Sequence, residues 1–235
     1  MKIAIILCSG GLDSVVVSYF VKDKYSKIKF LFFDYGQRAL KEEEYCSRKI
    51  AEKLKAEFIK VDLKWLGKIS VSSINKKGKY KETTEKDLED AKKEIINWLV
   101  PARNSIFLIN ALAFAESEFL KSKEIYEIII GLKNEGREHM KDTTPEFLKK
   151  INELAEEGTH DGTYKILAPL IELDKTEVIK LGNNLKVPFE LTYSCYVESK
   201  KDLTHCGKCL NCMLRKKSFY WGGVKDPTSY ALYLT

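Results

Sequence analysis

No apolar run in this chain approaches the roughly 20 residues that span a bilayer, so the sequence announces no membrane segment. The N-terminal stretch Ile3 to Cys8 is the nearest thing to a leader. It meets a glycine pair at Gly10 and Gly11, so it reads as a strand and the protein is expected in the cytoplasm. Internal repeats are missing, and so is any strongly biased tract beyond a Lys-rich segment after residue 63. A segregated charge is missing too. The 40 Lys and Arg against 34 Asp and Glu leave +6, but the two signs alternate, as across residues 41–55, and interspersed charge fits a solvated surface better than a nucleic-acid groove. Cysteine is nearly confined to one place: four of six, Cys195, Cys206, Cys209 and Cys212, crowd near the C-terminus. In a cytosolic chain that crowding argues for metal rather than disulfides, and leaves Cys8 and Cys46 as small buried residues.

What is present suits one α/β domain with a small appendage: 235 residues, 44% of them hydrophobic. Residues 3–7 form a β-branched run, and residues 13–24 carry a helical stripe through Val16, Val17, Phe20 and Val21. Strands at 28–33 and 58–61 flank an amphipathic helix over 40–55. The rhythm implies parallel pairing with right-handed crossovers, hence an open parallel sheet with helices on both faces. Residues 63–91 lose all periodicity and read as a flexible loop or lid. Helices follow over 92–99 and 105–120, then a buried strand over 125–130, a helix over 145–157, a strand over 165–168, a helix capped by Asp174 and a last basic helix reaching Tyr220. The division expected is 1–190 for the α/β domain, 191–220 for a cysteine subdomain and 221–235 for a tail.

Cys8-Ser9-Gly10-Gly11-Leu12-Asp13-Ser14 lies between the first strand and the first helix. The glycines let backbone approach a ligand, N–H groups and the helix dipole converge on an anion, and Ser9 and Ser14 add hydroxyl donors. Asp13 suits a helix cap or a Mg²⁺ ligand. Neither the Walker lysine ending nor a G-x-G-x-x-G pattern is present. The loop resembles the pyrophosphate loop of the N-type ATP pyrophosphatases, whose members adenylate a substrate oxygen and let a nitrogen or sulfur nucleophile displace AMP.

Four thiolates in the pattern Cys195 … Cys206-x₂-Cys209-x₂-Cys212 suit a closed tetrahedral Zn²⁺ site, which is structural because it leaves no open position. An iron–sulfur cluster is the alternative, though the ferredoxin continuation is replaced by Arg215 and Lys216. His205 is expected to be a neighbour, not a ligand.

Loop and knuckle together resemble the 7-cyano-7-deazaguanine synthases, as do residues 33–42, 100–108, 144–147, 168–170 and 173–182. The resemblance covers nearly the whole chain. It implies ATP-dependent conversion of 7-carboxy-7-deazaguanine and ammonia to the nitrile on the route to archaeosine or queuosine of tRNA. It also implies bound ATP with Mg²⁺, one structural Zn²⁺, a homodimer and no direct tRNA contact. Carried onto this sequence, Ser9, Asp13, Ser14 and Arg103 are catalytic. Leu7, Cys8, Gly10, Gly11, Leu12, Val15, Val16, Val17 and Asn104, with the loop serines and Asp13, form the nucleotide pocket. Gln37, Arg38 and Asp34 are further candidates. Asn134, Glu135 and Asp142 stand where the resemblance places, in many bacterial members, an aromatic, Pro-rich segment that meets the deazapurine, and they are the candidates to read the base edge here. No N-terminal cysteine nucleophile or room for a glutaminase is seen, so free ammonium is the expected nitrogen source. Two rivals remain: a tRNA-thiolating enzyme, which needs a reactive cysteine (Cys46 or Cys195) or an iron–sulfur cluster, and a non-enzymatic zinc knuckle binding nucleic acid through Arg215, Lys216 and Lys217.

Overall fold

The computed structural model describes residues 2–76, 78, 80, 82–85, 87, 91–133, 140–160 and 163–231, with the side chains of 91–94 excepted. Its five strands are β1 (Ile3–Leu7), β2 (Lys27–Asp34), β3 (Glu57–Asp62), β4 (Tyr126–Ile130) and β5 (Ile166–Leu167). They form one sheet in the order β3-β2-β1-β4-β5, and every neighbouring pair is parallel. Helices α1 (Leu12–Val21), α2 (Leu40–Leu54), α3 (Lys64–Ile69), α4 (Ala91–Trp98), α5 (Arg103–Ser122), α6 (Pro145–Gly158), α7 (Lys175–Asn184) and α8 (Leu210–Gly222) complete the fold.

The period-2 geometry of β1 explains its unbroken apolar sequence. Ile3, Ile5 and Leu7 enter a core shared with Leu108, Ala111 and Ala115 of α5. Ala4, Ile6 and Cys8 enter a second core with Val16 and Val17 of α1 and Val178 and Ile179 of α7. Both faces are therefore covered, as the sequence implied. Ile5 and Ile6 are fully buried, each worth roughly 1.5–3 kcal/mol relative to an exposed side chain.

Starting from the central β1, the chain builds outward to β2 and β3, then crosses to β4 and β5. The order reverses between β1 and β4, and in open parallel sheets the crevice beyond the strand ends at such a point receives ligands. Helix starts follow their local chemistry. Thr144 accepts the Phe147 N–H at 3.1 Å ahead of Pro145, and Asp174 and Glu177 form a reciprocal capping box on α7.

One expectation needs correction. Residues 63–91 are not one featureless loop: α3 occupies the start, Leu66 and Ile74 are buried, and the Arg38 N–H donates to the Ile74 carbonyl at 2.8 Å. Six residues are too few to display helical periodicity, so the sequence hid this helix. Residues 77, 79, 81, 86 and 88–90 of that stretch lie outside the described residues. The stretch Ile95–Ser122 has the length and composition to cross a membrane. It is broken between Trp98 and Arg103, and α5 buries Leu108, Ala111, Leu112 and Ala115 against the sheet, which is the pattern of a core helix.

Candidate active site

Leu7 ends β1, and Cys8 to Gly11 turn the chain into α1. Gly10 has φ +76°, and a Cβ there would stand 2.4 Å from the Glu43 carbonyl oxygen and 2.8 Å from the Ser47 nitrogen. Only glycine lets the loop press against α2 in this way. Gly11 caps α1 in extended geometry without side-chain help, so the helix's first N–H groups stay available to an anion. Ser9 and Ser14 are positioned over this terminus. The Gly11 N–H donates to Ser9 Oγ at 3.2 Å, the two hydroxyls are 3.2 Å apart, and Ser14 Oγ donates to the Gly11 carbonyl at 2.9 Å. Asp13 receives the Lys175 ammonium at 2.5 Å through Oδ2, while its buried Oδ1 has no partner. A buried carboxylate oxygen without a donor is costly and fits a bound cation.

The loop opens into a cavity of 380 Å³ at the carboxyl ends of β1, β2 and β4, a volume suited to a small molecule. Ser9, Gly11, Leu12, Asp13, Ser14 and Lys175 make its polar end. Leu31, Phe33, Trp98 and Phe107 make an apolar side, where the rings of Phe33 and Phe107 stack with centroids 4.3 Å apart. Tyr35, Gln37, Glu43, Arg103 and Asn104 form a third wall, and Tyr193, Ser194, Tyr196 and Asn211 close it from the cysteine-bearing segment. The Trp98 indole N–H is buried without a partner.

Of the residues expected from sequence, Leu7, Ser9, Gly11, Leu12, Asp13, Ser14, Arg103, Asn104, Gln37 and Asp142 all line this one cavity. Val15, Val16 and Val17 do not: they are fully buried in the core between α1, the sheet and α7, because the helix turns its apolar stripe inward one residue past the loop. Cys8 is likewise buried beneath the turn, its carbonyl held by Ser47 at 2.8 Å. Gly10 shapes the loop against α2 and is not part of the cavity lining. Asp34 is directed to Lys60 and Lys64 at 3.4 and 3.6 Å and accepts the Gly36 N–H at 3.3 Å, a capping role outside the cavity. Arg38 turns away to chelate Glu198 with Nε and Nη2 at 2.6 and 3.2 Å. Asn134 and Glu135 lie outside the described residues. Burial pushes the Cys46 thiol up to about 12, which removes it as a nucleophile at neutral pH.

Cys195, Cys206, Cys209 and Cys212 converge with all four sulfurs within 4.8 Å of one another. The Cys195–Cys209 and Cys206–Cys212 sulfurs are each 3.9 Å apart. A tetrahedral ion with sulfur bonds of about 2.3 Å sets its sulfurs roughly 3.8 Å apart, so the site fits a single metal ion. Backbone N–H groups of Val197 and Cys206 approach Cys195 Sγ at 3.4 Å, and those of Cys209 and Lys208 approach Cys206 Sγ at 3.3 and 3.5 Å, the dipoles a thiolate needs. His205 is no ligand. Burial, then the Arg215 charge, hold it down to about 4, and its Nε2 accepts the Ser194 N–H at 3.0 Å.

A protein-family model described as queuosine biosynthesis protein QueC matches residues 3–222. The chain belongs to that family. The 7-cyano-7-deazaguanine synthase of Methanococcus maripaludis is 39% identical over 235 residues, covering 97% of this chain and 98% of the relative. The enzyme of that name from Methanothermobacter thermautotrophicus is 38% identical over 232 residues, with the same coverage. Among solved structures, the U34-tRNA thiolase NcsA from Methanococcus maripaludis with its [4Fe-4S] cluster is a distant likeness: 17% identity, TM-score 0.47, 80% of this chain and 57% of that one.

Glu43 and Lys175 are among the charged members of this QueC-family cavity that the sequence does not single out. Both lie in charged helical stretches where a lysine or glutamate reads as surface, and only the packing of α2 and α7 against the phosphate loop turns them inward. Burial, eased by Gln37 and Arg103, holds the Glu43 carboxyl up to about 7.

Proposed function

We propose that the chain converts 7-carboxy-7-deazaguanine and ammonia into 7-cyano-7-deazaguanine with ATP, activating the carboxylate and then the amide as adenylates. The observation that carries this is the shared cavity: a pyrophosphate loop and an aromatic, amide-lined wall open into one 380 Å³ space, which suits in-line reaction of two bound molecules.

Each step has a group suited to it. The N–H groups at the start of α1, with the Ser9 and Ser14 hydroxyls, receive the pyrophosphate and stabilise charge as it leaves. Asp13, through its unpartnered Oδ1, would hold Mg²⁺, which when bound neutralises phosphate charge. Lys175 supplies a second cation at the same end. Arg103 lines the cavity and would meet the substrate carboxylate there, since a guanidinium matches a carboxylate through paired hydrogen bonds. Phe33, Phe107 and Tyr196 offer ring faces, while Asn104, Asn211 and the Trp98 N–H offer base-edge partners. The four-cysteine site takes Zn²⁺ in a structural role, since no ligand position remains open, and ammonium is the nitrogen donor.

Mass-spectrometric detection of the nitrile from ATP, Mg²⁺, ammonium and the carboxylic acid tests this reading. Formation of nitrile that is lost on Asp13→Ala or Ser9→Ala is the expected result. ATP cleavage without nitrile would refute the substrate, and absence of ATP cleavage with any substrate would refute the enzyme.

A further inference from the structure

Ammonium is positively charged and carries no lone pair at neutral pH, so an enzyme using it needs a group that binds the cation and removes a proton beside the acyl-adenylate. Glu43 has the position for this. Its main chain abuts the phosphate loop, as the 2.4 Å approach of its carbonyl oxygen to a Cβ at Gly10 shows, and it lines the same cavity as Asp13 and Ser9. Its carboxylate is aimed by Gln37, whose Nε2 donates to Oε2 at 3.0 Å and to the Phe33 carbonyl at 2.9 Å, while Gln37 Oε1 accepts the Tyr35 N–H at 2.9 Å. Gln37 is itself 5% exposed, so these contacts hold it rigidly. Resting on the function proposed above, we propose that Glu43 is the ammonium site and the base of the reaction, its carboxylate binding the cation and taking the proton that frees the nitrogen lone pair.

Atoms and charges balance without another reagent. The carboxylate takes one proton from NH₄⁺, giving NH₃ and the neutral acid. The acid passes that proton to water, the nitrogen lone pair attacks the acyl carbon, the C–O bond to AMP breaks with its electron pair on AMP, and the regained carboxylate takes the surplus N–H proton, giving the amide. After the amide oxygen is adenylated and pyrophosphate departs, two N–H protons are lost in turn as the second C–O bond to AMP breaks, giving the nitrile.

Surroundings agree with the role. Burial raises the Glu43 carboxyl, Gln37 and the Arg103 charge pull it down and Glu42 pushes it up, the balance being about 7. The other titratable neighbours, Tyr35 and Cys46, are both raised by burial and so uncharged at pH 7. The carboxylate thus ionises near working pH, where a base is most effective.

The test is steady-state kinetics of purified full-length Glu43→Gln, with Glu43→Asp as a second variant. For Glu43→Gln, kcat/KM for ammonium at pH 7.5 is expected to fall by about 100-fold or more, while pyrophosphate exchange into ATP driven by the carboxylic acid alone persists. Glu43→Asp is expected to recover part of the ammonium rate. Hydroxylamine, already neutral at that pH, is expected to form the hydroxamate with Glu43→Gln nearly as fast as with the unmodified protein. The KM for total ammonium is expected to stay level between pH 7.5 and 8.5 in the unmodified protein, and to fall roughly tenfold per pH unit in Glu43→Gln, which depends on NH₃ formed in bulk water. Unchanged ammonium kinetics in Glu43→Gln, or equal loss of exchange and of hydroxamate formation, would overturn the assignment. Absence of nitrile from the unmodified protein would instead remove the reaction on which it rests.

Discussion

Adding one methyl group at Gly10 tests how the phosphate loop is held. Alanine at φ +76° enters the left-handed region, at a cost of roughly 1–2 kcal/mol. Its Cβ would meet the Glu43 carbonyl oxygen at 2.4 Å, whereas carbon and oxygen ordinarily stay about 3.3 Å apart, so loop and helix must separate by about 0.9 Å. Because the obstacle is helical backbone, relief by side-chain rotation is closed, and overpacking of this kind adds about 1–3 kcal/mol. The sum, about 2–5 kcal/mol, corresponds to a fall in melting temperature of roughly 4–20 °C for a domain of this size. A shift near 1 Å in the donors around the phosphates costs about 100-fold in kcat/KM for ATP. Gly223→Ala is the control: φ is +65° there, but nothing lies within 4 Å of where its Cβ would stand, just past the end of α8, so it carries the strain without the clash. Thermal unfolding and ATP–pyrophosphate exchange read both variants. Gly10→Ala matching Gly223→Ala in both assays would refute the close-approach account.

Asp13→Asn keeps the shape of the loop but removes the charge facing Lys175 and the expected cation, so KM for Mg·ATP should rise at least about tenfold, as read by pyrophosphate exchange. Metal analysis should return one zinc per chain, and chelation should lower the melting temperature and weaken ATP binding together; iron with absorbance near 400 nm would refute the zinc assignment. Arg215 is wholly buried, bonded to Thr192 and Ser194 at 2.8 and 2.9 Å and to Asp226 at 3.2 Å, so Arg215→Met should cost about 3–5 kcal/mol in urea unfolding, partly recovered by adding Asp226→Asn. For Glu43, the folded carboxyl is held up to about 7 against an ordinary 4.5. Its ionisation therefore opposes folding: the penalty is absent below the ordinary value, grows as pH rises toward 7 and is complete above it, at most about 3 kcal/mol. Urea unfolding at pH 5 and 8.5 should show that loss in the unmodified protein and not in Glu43→Gln.

Much of the fold is legible in the sequence because burial on two faces leaves a plain mark. β1 is a continuous apolar run and β4 is one but for Glu127, and the loop after β1 carries glycines and hydroxyls in a pattern with few other uses. The cysteines are legible because metal ligands recur at close spacing. Helix α3 is hidden by its length, and its exposed Trp65 and Ile69 leave no amphipathic signature. Adjacency in sequence points Val15 to Val17 at the pocket, whereas α1 is covered by the sheet and by α7, and all three valines are fully buried in that one core. Glu43 and Lys175 are hidden for the converse reason: in a chain rich in both residue types, only three-dimensional packing separates the cavity carboxylate from Glu42 and Glu44 beside it.

The cysteine site matters through what it holds rather than what it contacts. Tyr193, whose N–H donates to the Gly10 carbonyl at 2.9 Å, ties the start of the cysteine segment to the phosphate loop. Further along, the Ser199 N–H donates to Glu42 at 3.0 Å and Glu198 pairs with Arg38 at 2.6 Å, which ties the segment to the N-terminal turn of α2. Between these anchors, Ser194 and Tyr196 line the cavity on either side of Cys195, and Asn211, one residue before Cys212, holds the Ser194 carbonyl at 2.7 Å. Removing the ion would release Cys195 and with it both neighbours, while the sheet and α1 keep their own cores. Loss of ligand binding should therefore precede loss of the fold as chelator is raised, and simultaneous collapse of secondary structure and binding would show that the metal instead supports the whole domain.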